Sequence, residues 1–318
     1  MGDRQMSLAE ALLDPRMGLR GRLSQLAEVI DWSALAELAG RVHPGEAGRP
    51  PFPALAMLKA MYLQALYDLS DPGLEEALID RVSFRLFCGF GLDERTPDET
   101  TLCRFRNAAA KAGVTAEAFA QVNRQLEAKG LVIKKGTLVD ATIVTAASSR
   151  PRQGGGAGRV AREPVASFTR KGGKSYFGYR LHVGVDEGSG LVRRLAFTPA
   201  HVNESLVADA LISGDERAVY ADKGYENKDR RRALKARGCK DRIMHRSHKN
   251  QAALPHWQVR RNALIARRRA PVEAVFGTLK RVHGRARARF TSFAANVADF
   301  LRQATVYNLR RAAVLLST

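Results

Sequence analysis

Residues 131–144, LVIKKGTLVDATIV, are rich in β-branched side chains and carry no helical repeat, so they read as a strand. Everything ahead of them reads as helix. Residues 54–69, ALAMLKAMYLQALYDL, are apolar almost all the way round, the pattern of a buried central helix. GRPPFP interrupts the chain before it, and SDPG opens the next helix with Pro72 in a first turn, where a missing N–H costs nothing. TPDET reads as a capping box: Thr96 accepts from first-turn amides, Pro97 presets the helical φ, and Glu99 closes the box. That predicts a helix from 97 to Gly113, with Leu102, Phe105 and Ala109 inward and Arg104 and Lys111 outward. A last helix, 115–129, closes at Gly130.

Beyond the opening strand the same period continues. SYFGYRLHVGVDEGSGLVRRLAFTP (175–199) reads as a hairpin turning at EGSG, AVYADKGY (218–225) as a strand ending in a turn, NKDRRRALKARG (227–238) as a helix closed by Gly238, and CKDRIMHR (239–246) as a short strand. Strands interleaved with helices predict an α/β fold, a mixed sheet flanked by helices, preceded by an all-α domain. The expected domains are 1–130 and 131–318. Between the first two strands RPRQGGGAGRVAREP (150–164) is too rich in glycine to hold structure, and the stretch 150–174 reads as a basic loop.

Charge divides along the same line. Residues 131–318 hold 37 Lys and Arg against 14 Asp and Glu, a net of +23, while residues 1–130 carry a net of −3. So basic a surface attracts phosphate polyanions by releasing their counterions. DNA chemistry is the first function class it points to. Within that segment Asp140 in GTLVDATIV, Asp222 in AVYADKGY and Glu273 in RRRAPVEAVFGTLKR are isolated acids in recognisable contexts. Carboxylates brought together from separate elements are what two-metal phosphoryl transfer needs, with cations about 3.5–4 Å apart. Pro271, two residues before Glu273, is comfortable only in a first helical turn, so either a helix starts near 270 or a longer one kinks there.

No run approaches the roughly 18 apolar residues of a membrane span, and MGDRQMSLAEALLDP has no apolar stretch behind a basic start. Cys88, Cys103 and Cys239 are odd in number and scattered, as free thiols in a reducing cytoplasm are. Cys239, His245 and His248 are too few for structural zinc. GGGAG (154–158) lacks the Gly-Lys-Ser/Thr of a phosphate loop, and the RRR run at 230–232 reads as a phosphate-facing or solvated stripe on a short helix.

Taken together, these segments resemble bacterial insertion-sequence transposases of the DDE type, specifically insertion-sequence family five. The resemblance runs from GRPPFPALAMLKAMYLQALYDLSDPGLEEALIDRVSFRLFCGF and PDETTLCRFR through VDATIV, KSYFGYRLHVGVDEGSGLVRRLAFTPAHV, ADKGY and RRRAPVEAVFGTLKR. It implies a ribonuclease-H-like sheet in which Asp140, Asp222 and Glu273 hold two magnesium ions, with manganese as a substitute. Expected partners are the element's terminal inverted repeats, target DNA and a second copy of the chain, acting in the bacterial cytoplasm at the nucleoid.

The family's signature is Tyr, two residues, Arg, three residues, Glu, six residues, Lys or Arg. Arg269, Glu273 and Lys280 match it, while Ala266 stands at the tyrosine place. Lys280, two turns past Glu273 on the same helical face, would reach DNA beside the scissile phosphate. The resemblance puts DNA backbone contacts at Lys171, Lys174, Arg180 and His182, and Arg104 and Arg106 in a DNA-reading helical domain. Two other readings stay open: a nuclease of the same fold that cuts without joining, and an idle DNA-binding descendant.

Overall fold

The computed structural model describes residues 22–42, 50–148, 162–247 and 253–317. They fall into two units, one of the described residues up to Ala128 together with 298–317, the other of 129–297.

The helical unit contains α1 (Arg22–Glu28), α2 (Ser33–Gly40), α3 (Ala54–Tyr67), α4 (Asp71–Asp80), α5 (Val82–Cys88), α6 (Glu99–Lys111) and α7 (Val114–Ala128). Helix α3 buries Ala56 through Leu58 and Ala60 through Ala65, which is why its sequence shows no polar face. The Ser70 side chain caps α4 by accepting from Gly73 N, with Pro72 in the first turn. At α6 the cap is Asp98, accepting from Thr101 N, so the helix starts two residues later than the TPDET reading had it. A short carboxylate and a hydroxyl compete for that role; Asp98 sits where its oxygen reaches the third amide on, and Thr96 stays outside the helix.

The C-terminal helix begins in the other unit. Helix α12 (Phe293–Leu316) contributes residues from Ala298 onward to the helical unit, where Asn308 Nδ2 donates to Asn123 Oδ1 of α7 at 2.8 Å. The expected boundary of 131–318 gave this helix to the sheet. Its apolar stripe alone could not say which neighbour it would cover.

The second unit is built on a six-stranded sheet: β1 (Thr137–Thr145), β2 (Ser167–Lys171), β3 (Lys174–Asp186), β4 (Val192–Pro199), β5 (Ala218–Ala221) and β6 (Lys240–Ile243). Central β3 runs antiparallel to β1, β2 and β4, whereas β1–β5 and β5–β6 are parallel. Two elements lie beyond the sequence reading. Part of the expected basic loop, 167–171, is strand β2, which turns at Gly172 and Gly173 into β3. Residues 150–161 of that loop lie outside the described ones. A helix, α8 (Glu204–Leu211), connects β4 to β5 with Asn203 as its cap.

Helices α8 and α9 (Lys228–Ala236) cover one face, where Val139, Ala208, Leu211, Val219, Ala221, Tyr225, Leu234 and Ile243 form a buried cluster. Arg230 is sealed between them, donating to Asp209 Oδ1 at 2.7 Å, Tyr225 O at 2.6 Å and Ser205 O at 2.5 Å. The RRR run is therefore not a uniform stripe: Arg230 is a buried clamp, Arg231 pairs with Asp241, and Arg232 is exposed on Asp229. Helices α10 (His256–Arg269) and α11 (Pro271–Gly277) follow, separated at Ala270 so that Pro271 occupies a first turn.

Candidate active site

Parallel pairing sets the first two acids side by side. Thr137 and Leu138 of β1 lie opposite Val219 and Tyr220 of β5, and two residues further along that register are Asp140 and Asp222. Asp140 sits within β1, its side chain 18% exposed. Its Oδ1 accepts from Ala141 N and its Oδ2 from Arg269 Nη2, each at 2.8 Å. Burial raises the Asp140 carboxyl above the ordinary carboxylate value; Arg269 and the Ala141 amide oppose the rise, and Asp222 adds to it by repulsion. Asp222 ends β5 and caps the short turn Lys223–Tyr225, its Oδ1 accepting from Gly224 N at 2.6 Å. Each carboxylate is thus pinned by a backbone amide.

A further acid, absent from the sequence reading, stands with them. Glu204 opens α8, and burial raises its carboxyl, opposed by Arg180 and reinforced by Asp222 and Asp140. Its Oε1 accepts from Arg180 Nη1 at 2.5 Å. The one sequence signal for it was the Asn-Glu pair at 203–204, a cap followed by a first-turn acid between two strands.

Glu273 lies in the first turn of α11, one turn past Arg269, with an exposed side chain. It makes no ion pair among the described residues. Nor, among those residues, do three His, Cys, Asp or Glu side chains converge closely enough to hold a cation as they stand. The fold brings Asp140 and Asp222 together with Arg269 and Glu204, and leaves Glu273 on the adjoining helix.

The cationic candidates divide into free and engaged groups. Lys171 and Lys174 are exposed at the tip of the β2–β3 hairpin, and the charge of Lys171 reaches Asp140, Glu204 and Lys280. Lys280 lies in a π-helical turn, Thr278–Val282, where burial and Lys171 both depress its ammonium. Arg104 is exposed on α6. Arg180 is instead spent on Glu204 and on Thr169 Oγ1 at 3.2 Å, so it is not a free backbone contact. His182 is completely buried, its Nε2 2.9 Å from Thr198 Oγ1, and burial with Arg180 holds its ring down at about 4.

Arg106 is likewise internal, 6% exposed and doubly paired with Asp71, Nη2 to Oδ2 at 2.9 Å. Helical period explains the miss: 106 sits four residues from Leu102 and shares its inward face. Cys239 is buried in the sheet cluster and His245 packs edge-on against Trp257, while His248 lies outside the described residues.

Comparison with protein families gives two matches. Residues 11–108 match the family described as Transposase domain (DUF772), and residues 133–309 match Transposase DDE domain. The chain belongs to the DDE transposases. No solved structure matches it. DDE transposases are polynucleotidyl transferases with a ribonuclease-H-like fold, and the mixed sheet with flanking helices described above is of that kind. The family binds DNA and uses divalent metal ions. Among the described residues no helix is long and apolar enough to cross a membrane.

Proposed function

We propose that this DDE transposase cuts at the ends of its own insertion sequence and joins them to target DNA, with Asp140, Asp222 and Glu273 as its metal ligands. The observation that carries this reading is the level placement of Asp140 on β1 and of Asp222 just past the end of the parallel strand β5, with Lys171 near enough for its charge to act on Asp140 and on Lys280. The donor set fits magnesium or manganese, because carboxylate oxygens are hard ligands and no thiolate or imidazole stands among them. A pair of such ions would activate the attacking oxygen and stabilise the leaving one in an in-line displacement.

The protein's own residues do the remaining work. Backbone amides of Ala141 and Gly224 orient the two aspartates, so that little reorganisation is left for the reaction. Arg269 neutralises Asp140 when phosphate is away, and its fork suits a phosphate oxygen equally well. Glu273, exposed in the first turn of α11, would complete the set. Lys171, Lys174 and Lys280 hold the DNA backbone, and Arg104 contacts DNA from the helical unit. Because an element has two ends, a homodimer or larger assembly acts on it.

The test is a joining assay with a pre-cut element end, a supercoiled target and Mg²⁺. Joined product is expected from the intact protein and none from Asp140→Asn, Asp222→Asn or Glu273→Gln. Cleavage without joining would instead identify a nuclease, and DNA binding alone an idle descendant.

A further inference from the structure

Asp222 has a second acidic neighbour that no sequence signature supplies. A Cβ placed on Gly224 would lie 2.9 Å from Asp222 Oδ1 and 3.5 Å from Glu204 Oε2, so the two carboxylates flank one glycine. The Glu204 side chain is 25% exposed, and a charge held there needs partners. Oε1 has one in Arg180; Oε2, on the Gly224 side, has none among the described residues.

An independent group faces the same space. Tyr225 is fully buried, yet its hydroxyl makes no hydrogen bond. Besides burial, the charges that act on that hydroxyl are those of Glu204, Asp140, Asp222 and Arg269, so it lies within reach of the carboxylates although its ring helps fill the apolar cluster. A buried hydroxyl is costly to leave unsatisfied, and phenylalanine would fill the same cluster without that cost. The oxygen is best explained by something that comes to sit between the acids.

We infer that Glu204 and Tyr225 belong to the cation pocket: Glu204 Oε2 is an additional oxygen ligand beside Asp222, and the Tyr225 hydroxyl donates to the ligand shell. This rests on the reading of Asp140 and Asp222 as cation ligands. Hard divalent ions take six or more oxygens and keep waters, so three acids leave places for both groups. Arg180 then acts as the strut that points Glu204, and Thr169 steadies Arg180. Glu204 enters the pocket from α8 and Arg269 from α10.

The experiment is Mn²⁺ binding to the purified full-length protein without DNA, followed by the paramagnetic resonance of free Mn²⁺. Groups around a metal typically change its affinity 10–100-fold. Glu204→Gln is therefore expected to weaken Mn²⁺ about tenfold or more, and Tyr225→Phe to weaken it several-fold with an unchanged far-ultraviolet spectrum. Because Glu204→Gln leaves Arg180 without its carboxylate and risks the fold, the Arg180→Gln/Glu204→Gln double variant decides: it should stay as weak as the single one. Wild-type affinity in the double variant would make Glu204 a mere counterion of Arg180 and overturn the inference. If Asp140→Asn weakens Mn²⁺ and neither Glu204 variant does, the inference falls and the reading of Asp140 stands. If Asp140→Asn and Asp222→Asn also bind like wild type, both fall together.

Discussion

Replacing Gly224 with alanine adds one carbon and removes no functional group, which isolates the value of carboxylate position. The new Cβ would stand 2.9 Å from Asp222 Oδ1. Ordinary contact begins near 3.4 Å, so the carboxylate must retreat by about 0.5 Å, the tolerance within which a site has to be held. Gly224 has no left-handed φ, so the backbone itself accepts alanine. The stretched bond from Gly224 N costs at most about 1 kcal/mol, and alanine returns roughly 0.4–1 kcal/mol by restricting the unfolded chain. Stability should therefore change by less than about 1 kcal/mol.

Joining activity should fall much further. A misplacement of about 1 Å costs about 10²-fold, so half that distance predicts about a tenfold loss. The assays are urea unfolding and the pre-cut end joining rate, measured on the same preparation. A wild-type rate, or a loss above about 3 kcal/mol of stability, would refute the reasoning. Gly178→Ala is the contrast: at φ +154° its Cβ would overlap the Val144 carbonyl and lie 2.6 Å from Ala146 N, both backbone atoms. That variant should lose several kcal/mol and fail to fold.

Arg106→Ala should destabilise the helical unit by about 3 kcal/mol in a denaturant titration, since it takes away the cation that balances Asp71 in a half-buried site. Arg104→Ala should leave stability within about 0.5 kcal/mol and weaken DNA in a filter-binding assay. Asp140→Asn keeps an oxygen for the Ala141 amide but sets an amide NH2 where Oδ2 meets Arg269, so it should abolish joining at a cost of about 1–3 kcal/mol in a urea titration. His182 titrates near 6.5 when unfolded and at about 4 when folded. Between those values the unfolded chain binds a proton that the folded one refuses, so stability is full above pH 6.5 and falls as pH drops toward 4. The total is about 3 kcal/mol, visible as the difference in pH dependence between the intact protein and His182→Gln; identical curves would refute it.

Sequence determined what local chemistry determines. Period changes separate a helical first part from a β-rich second one, Pro72 and Pro271 mark helix starts, and Asp140, Asp222 and Glu273 stand out against a basic background. Those signals act over a few residues, or through the summed charge of a segment. Which side of a helix meets which neighbour is different, because it depends on residues far apart in the chain that share no local pattern. Hence Arg106 and Arg180 look like free cations until Asp71 and Glu204 are found against them. The same holds for the C-terminal helix, whose apolar stripe would suit either unit. Only the parallel register of β1 and β5 makes neighbours of Asp140 and Asp222, and only the packing of α8 on the sheet carries Glu204 to Gly224. A strand end and a helix start are written locally; their meeting is decided by how apolar faces are buried together.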